Sequence, residues 1–471
     1  MKILMMSLVL AVMVGCTTFH PKPLSPSETA SDFEARTLDN PDLKAFLEEN
    51  LHREISPWPS KSWDFMLLAL VAFHYHPDLD VARAQWEMAK AEVTTASQRP
   101  NPRLTFVPKF VSNAASGASP WILDFPLDIP LETAGKRGYR IAQAQDRSAA
   151  AHLHIAAVAW QVRSRLRASL LDLYAAHQAE VLLQRQQAVQ EAIVKILDQR
   201  LAFGEVSQPD VTQAHISLDR IRLSLREAHK QRVEARVQLA AALGLPVGAL
   251  EGAELSSDVL QRFPMATDFP APDVQRQALL GRADLLGMLA DYAASQSALQ
   301  LEIAKQYPDI QLGPGYEFDQ GNHKWSLGVS VSLPVFHRNQ GPIAEAEARR
   351  TETAARFSAL QARVIGELAG ALAGYRAALQ TLETAETLFS ARKEQLASVQ
   401  SMFTVGEVDR LALLSAQLEL DTSALSRLDA LVKAQQSLRL LEDAVQRSLD
   451  PLGSFSVSPT MNPRAEDKKN P

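Results

Sequence analysis

"IQLGPGYEFDQGNHKWSLGVSVSLPVF" spans Ile310 to Phe336, and its alternation decides the fold. On the first arm Ile310, Leu312, Pro314, Tyr316 and Phe318 fall on one side, with Gln311, Gly313, Gly315, Glu317 and Asp319 on the other. On the second arm Trp325, Leu327, Val329, Val331 and Leu333 face one way, and Lys324, Ser326, Gly328, Ser330 and Ser332 the other. Successive strand residues point to opposite faces, so this is a hairpin with one apolar and one polar face. Most of the remaining chain reads as long helices, which raises the question of where the apolar face goes.

A second hairpin lies earlier. Trp121, Leu123, Phe125, Leu127 and Ile129 alternate with Ile122, Asp124, Pro126 and Asp128, and Leu104, Phe106 and Phe110 form a weaker opposite strand. Pro108 and Pro126 remove ladder donors there. The two hairpins belong to an internal repeat. "HPDLDVARAQWEMAKAEVTTASQRPNPRL" from His76 matches "RADLLGMLADYAASQSALQLEIAKQYPDIQL" from Arg282, which pairs Asp78 with Asp284 and Pro102 with Pro308. "PLETAGKRGYRIAQAQ" matches "PVFHRNQGPIAEAEAR", and "FGEVSQPDVTQA" matches "VGEVDRLALLSA". Each half runs helix, hairpin, long helix, tight glycine turn and returning helix, so the chain is a duplicated domain.

The helices are long. Nothing breaks the pattern from about Arg137 to Leu201, a length of roughly 95 Å at 1.5 Å per residue. The return helix opens on Ser207-Gln208-Pro209-Asp210, a capping-box pattern with proline in the first turn. Val211, Ala214, Leu218, Ile221, Leu225, Ala228, Ala235, Leu239 and Ala242 then follow a seven-residue repeat, with Arg232 the charged intruder, and Gly244 and Pro246 close it. Leu411, Leu414, Leu418, Leu425, Leu428 and Val432 repeat the spacing and are expected to be its buried seam. The short helix before each hairpin and the return helix together nearly equal the long one, so two short helices stacked end to end can run alongside it.

Composition narrows the function. The 471 residues carry a net charge of −6, which gives no electrostatic case for nucleic-acid binding. No run approaches the roughly 18 apolar residues of a membrane-spanning helix. The N-terminus, "MKILMMSLVLAVMVGCTTFH", has Lys2, an apolar stretch from Ile3 to Val14, and Gly15-Cys16, the only cysteine. It resembles a bacterial lipoprotein signal, in which the cysteine becomes the lipidated first residue, with Met13 where leucine is usual. Thr17, rather than aspartate, points to the outer membrane under the rule for such proteins. No intrachain disulfide is possible with one cysteine.

No Walker A motif is present, since Gly135-Lys136 is followed by Arg137, and there is no dinucleotide-binding glycine pattern, HExxH or GxSxG. His74 and His76 read as surface polar residues, and His152 and His154 lie on different helix faces. No catalytic residue, cofactor or metal site is expected. Four strands with alternating faces match the transmembrane-barrel signature, and Trp121, Trp325, Tyr316 and Phe336 suit interfacial girdles. Four strands cannot close a barrel, and an open sheet edge in lipid is forbidden. Either the hairpins pack on a soluble helical core, or several chains pool them, three chains giving twelve strands.

The segments "RPNPRL", "GKRGYRIAQAQ", "FGEVSQPDVTQAHISL", "RADL", "PGYEFDQG", "LPVFHRNQGPIAEAEAR" and "VGEVDRLALLSAQLEL", in order from about Trp63 to Leu449, resemble the outer-membrane efflux proteins of the TolC family, most of all its heavy-metal and cation branch. The resemblance implies a mainly α fold with a small β part: a long coiled-coil helical barrel in the periplasm, below a trimeric twelve-stranded outer-membrane β-barrel to which each chain gives two hairpins. It implies a passive export duct for small molecules or metal cations, in a tripartite system with a periplasmic adaptor and an inner-membrane pump. On that reading Leu123, Phe125, Leu127, Leu312, Tyr316, Trp325, Leu327, Val329 and Val331 face lipid. The turns at Gly204-Glu205-Val206 and Gly406-Glu407-Val408 dock the adaptor, and Cys16 carries lipid. Asp210 and Asp409 either line the aperture with Glu205 and Glu407 or cap helix N-termini. The alternatives are a duct for type I protein secretion and a periplasmic coiled-coil scaffold.

The boundaries that follow are a signal peptide at 1–15, a lipidated segment at 16–60, a first repeat at 61–245 with hairpin 103–130 and tip turn 202–208, a connecting segment at 246–280, a second repeat at 281–449 with hairpin 309–335 and tip turn 404–409, and a disordered tail at 450–471.

Overall fold

A computed structural model describes residues 17–265 and 271–449; the expected signal peptide, Cys16 and the segment 450–471 lie outside the described residues. The chain begins with α1 (Pro26–Glu34) and α2 (Pro41–Leu51), then β1 (Ser62–Trp63) and α3 (Phe65–Tyr75). The first repeat continues as α4 (Pro77–Ser97), β2 (Arg103–Leu104), β3 (Val107–Phe110), β4 (Trp121–Leu131), α5 (Lys136–Ala202) and α6 (Gln208–Leu243). After β5 (Glu254–Leu255) come α7 (Ala271–Gly281), α8 (Ala283–Ala304), β6 (Ile310–Asp319), β7 (Asn322–Val331), α9 (Gln340–Thr404) and α10 (Arg410–Val445).

The two long helices have 67 and 65 residues, and both return helices have 36. α5 runs alongside α4 above and α6 below, and α9 runs alongside α8 and α10 in the same way. α5 also packs on α8 and α10, which joins the repeats. The upper bundle is therefore ordered α4–α5–α8–α9 and the lower bundle α6–α5–α10–α9. The sheet has the same order: β2 and β3 lie one after the other on β4, β4 pairs with β6 and β6 with β7, all antiparallel. Each strand is continuous with the helix at its own place in the row, so the molecule is one wall four elements wide. Gly135 and Asn339, repeat equivalents, both take left-handed backbone at the strand-to-helix bends, with φ of 71° and 61°.

Two cores hold the wall at mid-height. In the first, nine of the eleven α3 residues are buried against Leu43 and Leu47 of α2, Val162, Leu166 and Leu170 of α5, and Leu239 and Leu243 of α6. The second uses repeat-equivalent positions: Val364, Leu368 and Leu372 of α9 with Leu441 and Val445 of α10. Each fully buried leucine contributes about 1.5–3 kcal/mol. Between the cores Glu442 is fully buried and ion-paired to Arg167, with Arg163 at 3.4 Å, and Gln435 accepts from Arg167 at 3.2 Å.

Two sequence readings need correction. In α10 only Leu414 of the leucine series is buried; Leu411, Leu418, Leu425, Leu428 and Val432 are half-buried, and the buried positions around them are Ala416, Ser423, Ala430, Leu431, Ala434, Gln435 and Leu438. α10 packs between α9 and α5, so its buried positions face two partners rather than forming one stripe, and small residues among them allow close approach. His74 and His76 are not surface groups: the His74 ring lies 5.1 Å from that of Phe46, and buried His76 caps α4 by accepting from Asp78 N at 3.2 Å. Phe336 lies beyond β7, in the exposed loop before α9.

Candidate functional site

The register places the predicted apolar residues of β4, β6 and β7 on one face of the sheet. Phe125, Tyr316 and Trp325 lie in one row across β4, β6 and β7, and Ile129, Leu312 and Val329 in another. Phe106, Phe125, Tyr316 and Trp325 form a continuous aromatic band, with successive ring centroids 4.9, 6.2 and 4.9 Å apart. Leu123, Leu127, Leu327 and Val331 share this face by strand alternation. Nothing among the described residues covers it: Trp325 is 81% exposed, Leu327 74% and Val329 64%. That is too much contiguous apolar surface for a water-facing sheet.

The other face carries a charged row in which Asp124, Glu317 and Lys324 are cross-strand neighbours. Lys324 Nζ lies 2.5 Å from Asp319 and 3.4 Å from Glu317. Among the described residues no helix is long and apolar enough to cross a membrane.

The sheet is fixed to the helices by side chains that the sequence reading missed. Buried Lys136 donates to Tyr307 O at 2.6 Å and to Asp309 Oδ1 at 2.7 Å, while Thr133 donates to Asp309 and to Pro308 O. Arg137 and Arg140 donate to the carbonyls of Ser97 and Ala96 at the end of α4, and Asn339 to that of Glu302 in α8. Each bend thus places donors on the unsatisfied C-terminal carbonyls of the adjacent helix. No local motif announces these contacts, because the partners lie up to 176 residues apart.

At the far end both tip turns reverse the chain through a left-handed glycine, Gly204 at φ 74° and Gly406 at φ 80°. Glu205 N donates to Arg200 O and Glu407 N to Met402 O, both at 2.9 Å. Glu205 and Glu407 are exposed, and Val206 and Val408 are half-buried beside them. Asp210 completes a capping box with Ser207, whose hydroxyl donates to it at 2.6 Å; these bonds hold its carboxyl below the usual range. Asp409 is the N-cap of α10, accepting from Ala412 N at 2.9 Å, and it also lies 2.6 Å from Arg200 at the end of α5. The backbone bond from Ala412 and then the Arg200 guanidinium keep its carboxyl below the usual range. Both acids therefore cap helices, and Asp409 ties the two tip hairpins together. Among the described residues no group of three or more His, Cys, Asp or Glu side chains is arranged to hold a metal ion.

This arrangement agrees with three comparisons. The cobalt-zinc-cadmium resistance protein CzcC of Cupriavidus metallidurans is 23% identical over 376 residues, covering 79% of this chain and 87% of its own length. The solved structure of CusC, described in terms of folding and transmembrane channel formation, superposes with a TM-score of 0.65 at 17% identity, over 83% of this chain and 94% of that one. The outer membrane protein VceC of Vibrio cholerae superposes with a TM-score of 0.64 at 19% identity, over 81% of this chain and 95% of that one. The model of the family described as outer membrane efflux protein matches residues 72–245 and 274–445, one segment per repeat, and this chain belongs to that family.

Proposed function

We propose that this protein is the outer-membrane channel of a tripartite efflux system, assembled as a homotrimer, with metal cations as cargo. The wall with two unpaired edges carries the reading. Strand edges in lipid must be paired, and three four-strand sheets give the twelve strands of a closed barrel. The exposed apolar face, with its aromatic band, then meets outer-membrane lipid, and the row of Asp124, Glu317 and Lys324 lines a wet pore. The helical wall continues below as a tube in the periplasm. The tip turns at Gly204-Glu205-Val206 and Gly406-Glu407-Val408 dock a periplasmic adaptor, which connects to an inner-membrane pump, and Cys16 anchors lipid at the N-terminus. The duct is passive and needs no tight metal site. The metal cargo rests on the likeness to the cobalt-zinc-cadmium resistance protein.

The decisive experiment is deletion of the gene in its host, with complementation. Tolerance to cobalt, zinc and cadmium should fall and return with the wild-type chain. Unchanged tolerance on deletion, with the trimer present in wild-type outer membranes, would sink the metal cargo. It would favour a small organic cargo, as for the pyoverdine export outer membrane protein OpmQ of Pseudomonas aeruginosa, 24% identical over 46% of this chain, or protein secretion.

A further inference from the structure

The internal repeat contains the register of the seam between copies. The step from Phe110 to Tyr316 is 206 residues and that from Trp121 to Trp325 is 204. Phe110 pairs with Trp121 in the first hairpin, and Tyr316 pairs with Trp325 in the second. The same two steps carry Leu104–Leu127 onto Ile310–Val331, and Val107–Asp124 onto Gly313–Gly328, all of them observed pairs. The two hairpins are thus equivalent residue for residue, despite a long loop in one and a two-residue turn in the other.

The join between repeats, β4 on β6, has Phe125 opposite Tyr316, Pro126 opposite Gly315 and Ile129 opposite Leu312. Applying the repeat operation once more takes β4 to β7 and returns β6 to β2–β3, now in a second copy of the chain. We infer that β7 of one copy pairs with β2–β3 of the next, antiparallel, with Val329 opposite Phe110, Ser330 opposite Lys109 and Leu333 opposite Phe106. This deepens the trimer proposed above and rests on it.

Independent features agree. Thr105 N donates to Pro126 O and Val111 N to Pro120 O, so odd-numbered residues of the first strand direct their amides at β4. Backbone directions alternate along a strand, so the amides of Leu104, Phe106 and Phe110 point to the open edge. The inferred pairs at Phe110 and Phe106 use these amides, and both put apolar opposite apolar on the face of the aromatic band. A slip of one residue would set that face against the charged one. In the single chain β7 stops at Val331, four residues short of the position equivalent to the end of β4, and Val335 N turns back to Leu333 O at 2.9 Å. The seam gives residues 332–335 the strand partner they lack.

Lys109 and Ser330 lie on the polar face in a non-hydrogen-bonded pair, where Cα atoms sit about 4.5 Å apart, within disulfide reach. The test is oxidation of outer membranes carrying Lys109→Cys with Ser330→Cys, read as covalent dimers and trimers on denaturing gels. Lys109→Cys with Gly328→Cys, or with Ser332→Cys, sets the diagonal spacing of about 7–8 Å. The single variants control for Cys16. The expected result is at least tenfold more linkage from the Lys109/Ser330 pair than from either slipped pair. Equal or greater linkage from a slipped pair, or none from any pair while the protein sediments as a trimer, overturns the register and leaves the trimer standing. A protein that sediments as a monomer in every variant and in the wild type removes both.

Discussion

Gly244 and Gly204 both carry left-handed backbone, yet their substitution should have different costs. A Cβ at Gly244 would lie 2.7 Å from Tyr75 O and 2.9 Å from Tyr75 C. Arg36 locks that carbonyl, donating at 2.9 Å to both Tyr75 O and Gly244 O. Gly244→Ala therefore combines left-handed strain of about 1–2 kcal/mol with overpacking of about 1–3 kcal/mol. At Gly204 nothing lies within 4 Å of the added Cβ, so only the strain remains. In thermal melts followed by circular dichroism, Gly244→Ala should be the more destabilised variant, and equal losses would refute the steric argument. Glu442→Gln tests the buried cluster. It leaves Arg163 and Arg167, 4% and 2% exposed, without their counter-ion, a change that costs about 3–5 kcal/mol in such sites. Protease resistance of the α5–α10 region should collapse, whereas resistance equal to wild type would show that the cluster is solvated.

At the scale of elements, the face alternation of β6 and β7 makes its own prediction. Val329→Arg puts a cation on the apolar face, a cost of about 2–4 kcal/mol at the bilayer midplane. Ser330→Arg puts it on the polar face, and the yield of heat-resistant trimer should fall for the first and hold for the second. Equal damage would argue against lipid on one face and water on the other. These elements were legible because period-2 and period-3.6 patterns are local and the repeat states them twice. The interrupted strand β2–β3 was legible through Leu104, Phe106 and Phe110, which keep one register with β4 across the break. The α10 seam was misread because leucine spacing marks a helix with one partner, and α10 has two. The bend contacts of Lys136 with Asp309 and the tie between Arg200 and Asp409 were illegible, because nothing local to either residue specifies a partner in the other repeat.

At the scale of the whole molecule, the tie at the tip distinguishes two accounts of how the narrow end works. Ser207 and Asp409 are repeat equivalents, both N-caps of return helices, and Arg200 corresponds to Met402. The ion pair that joins the two hairpins of one chain thus has no charged counterpart where the hairpins of successive copies would meet. If Asp409 acts as a tie, Arg200→Ala and Asp409→Asn should both raise single-channel conductance in planar bilayers, and the double variant should add little. If it acts as a bare carboxylate at the mouth, the two changes should move cation selectivity in opposite directions, Arg200→Ala upward and Asp409→Asn downward. The exposed pair is worth about 0.2–1 kcal/mol per chain, so the expected shift is modest. The pH dependence follows from the lowered pKa of Asp409: its stabilisation is present above the usual aspartate pKa and is lost only as pH falls through the lower folded value. Wild-type conductance should therefore be flat from pH 7 to about 5 and rise only in stronger acid, below the ordinary aspartate pKa of about 3.9. The Asp409→Asn channel should be raised already at pH 7 and lack that acid step. A wild-type step near pH 6, or identical titrations of the two channels, would exclude the tie.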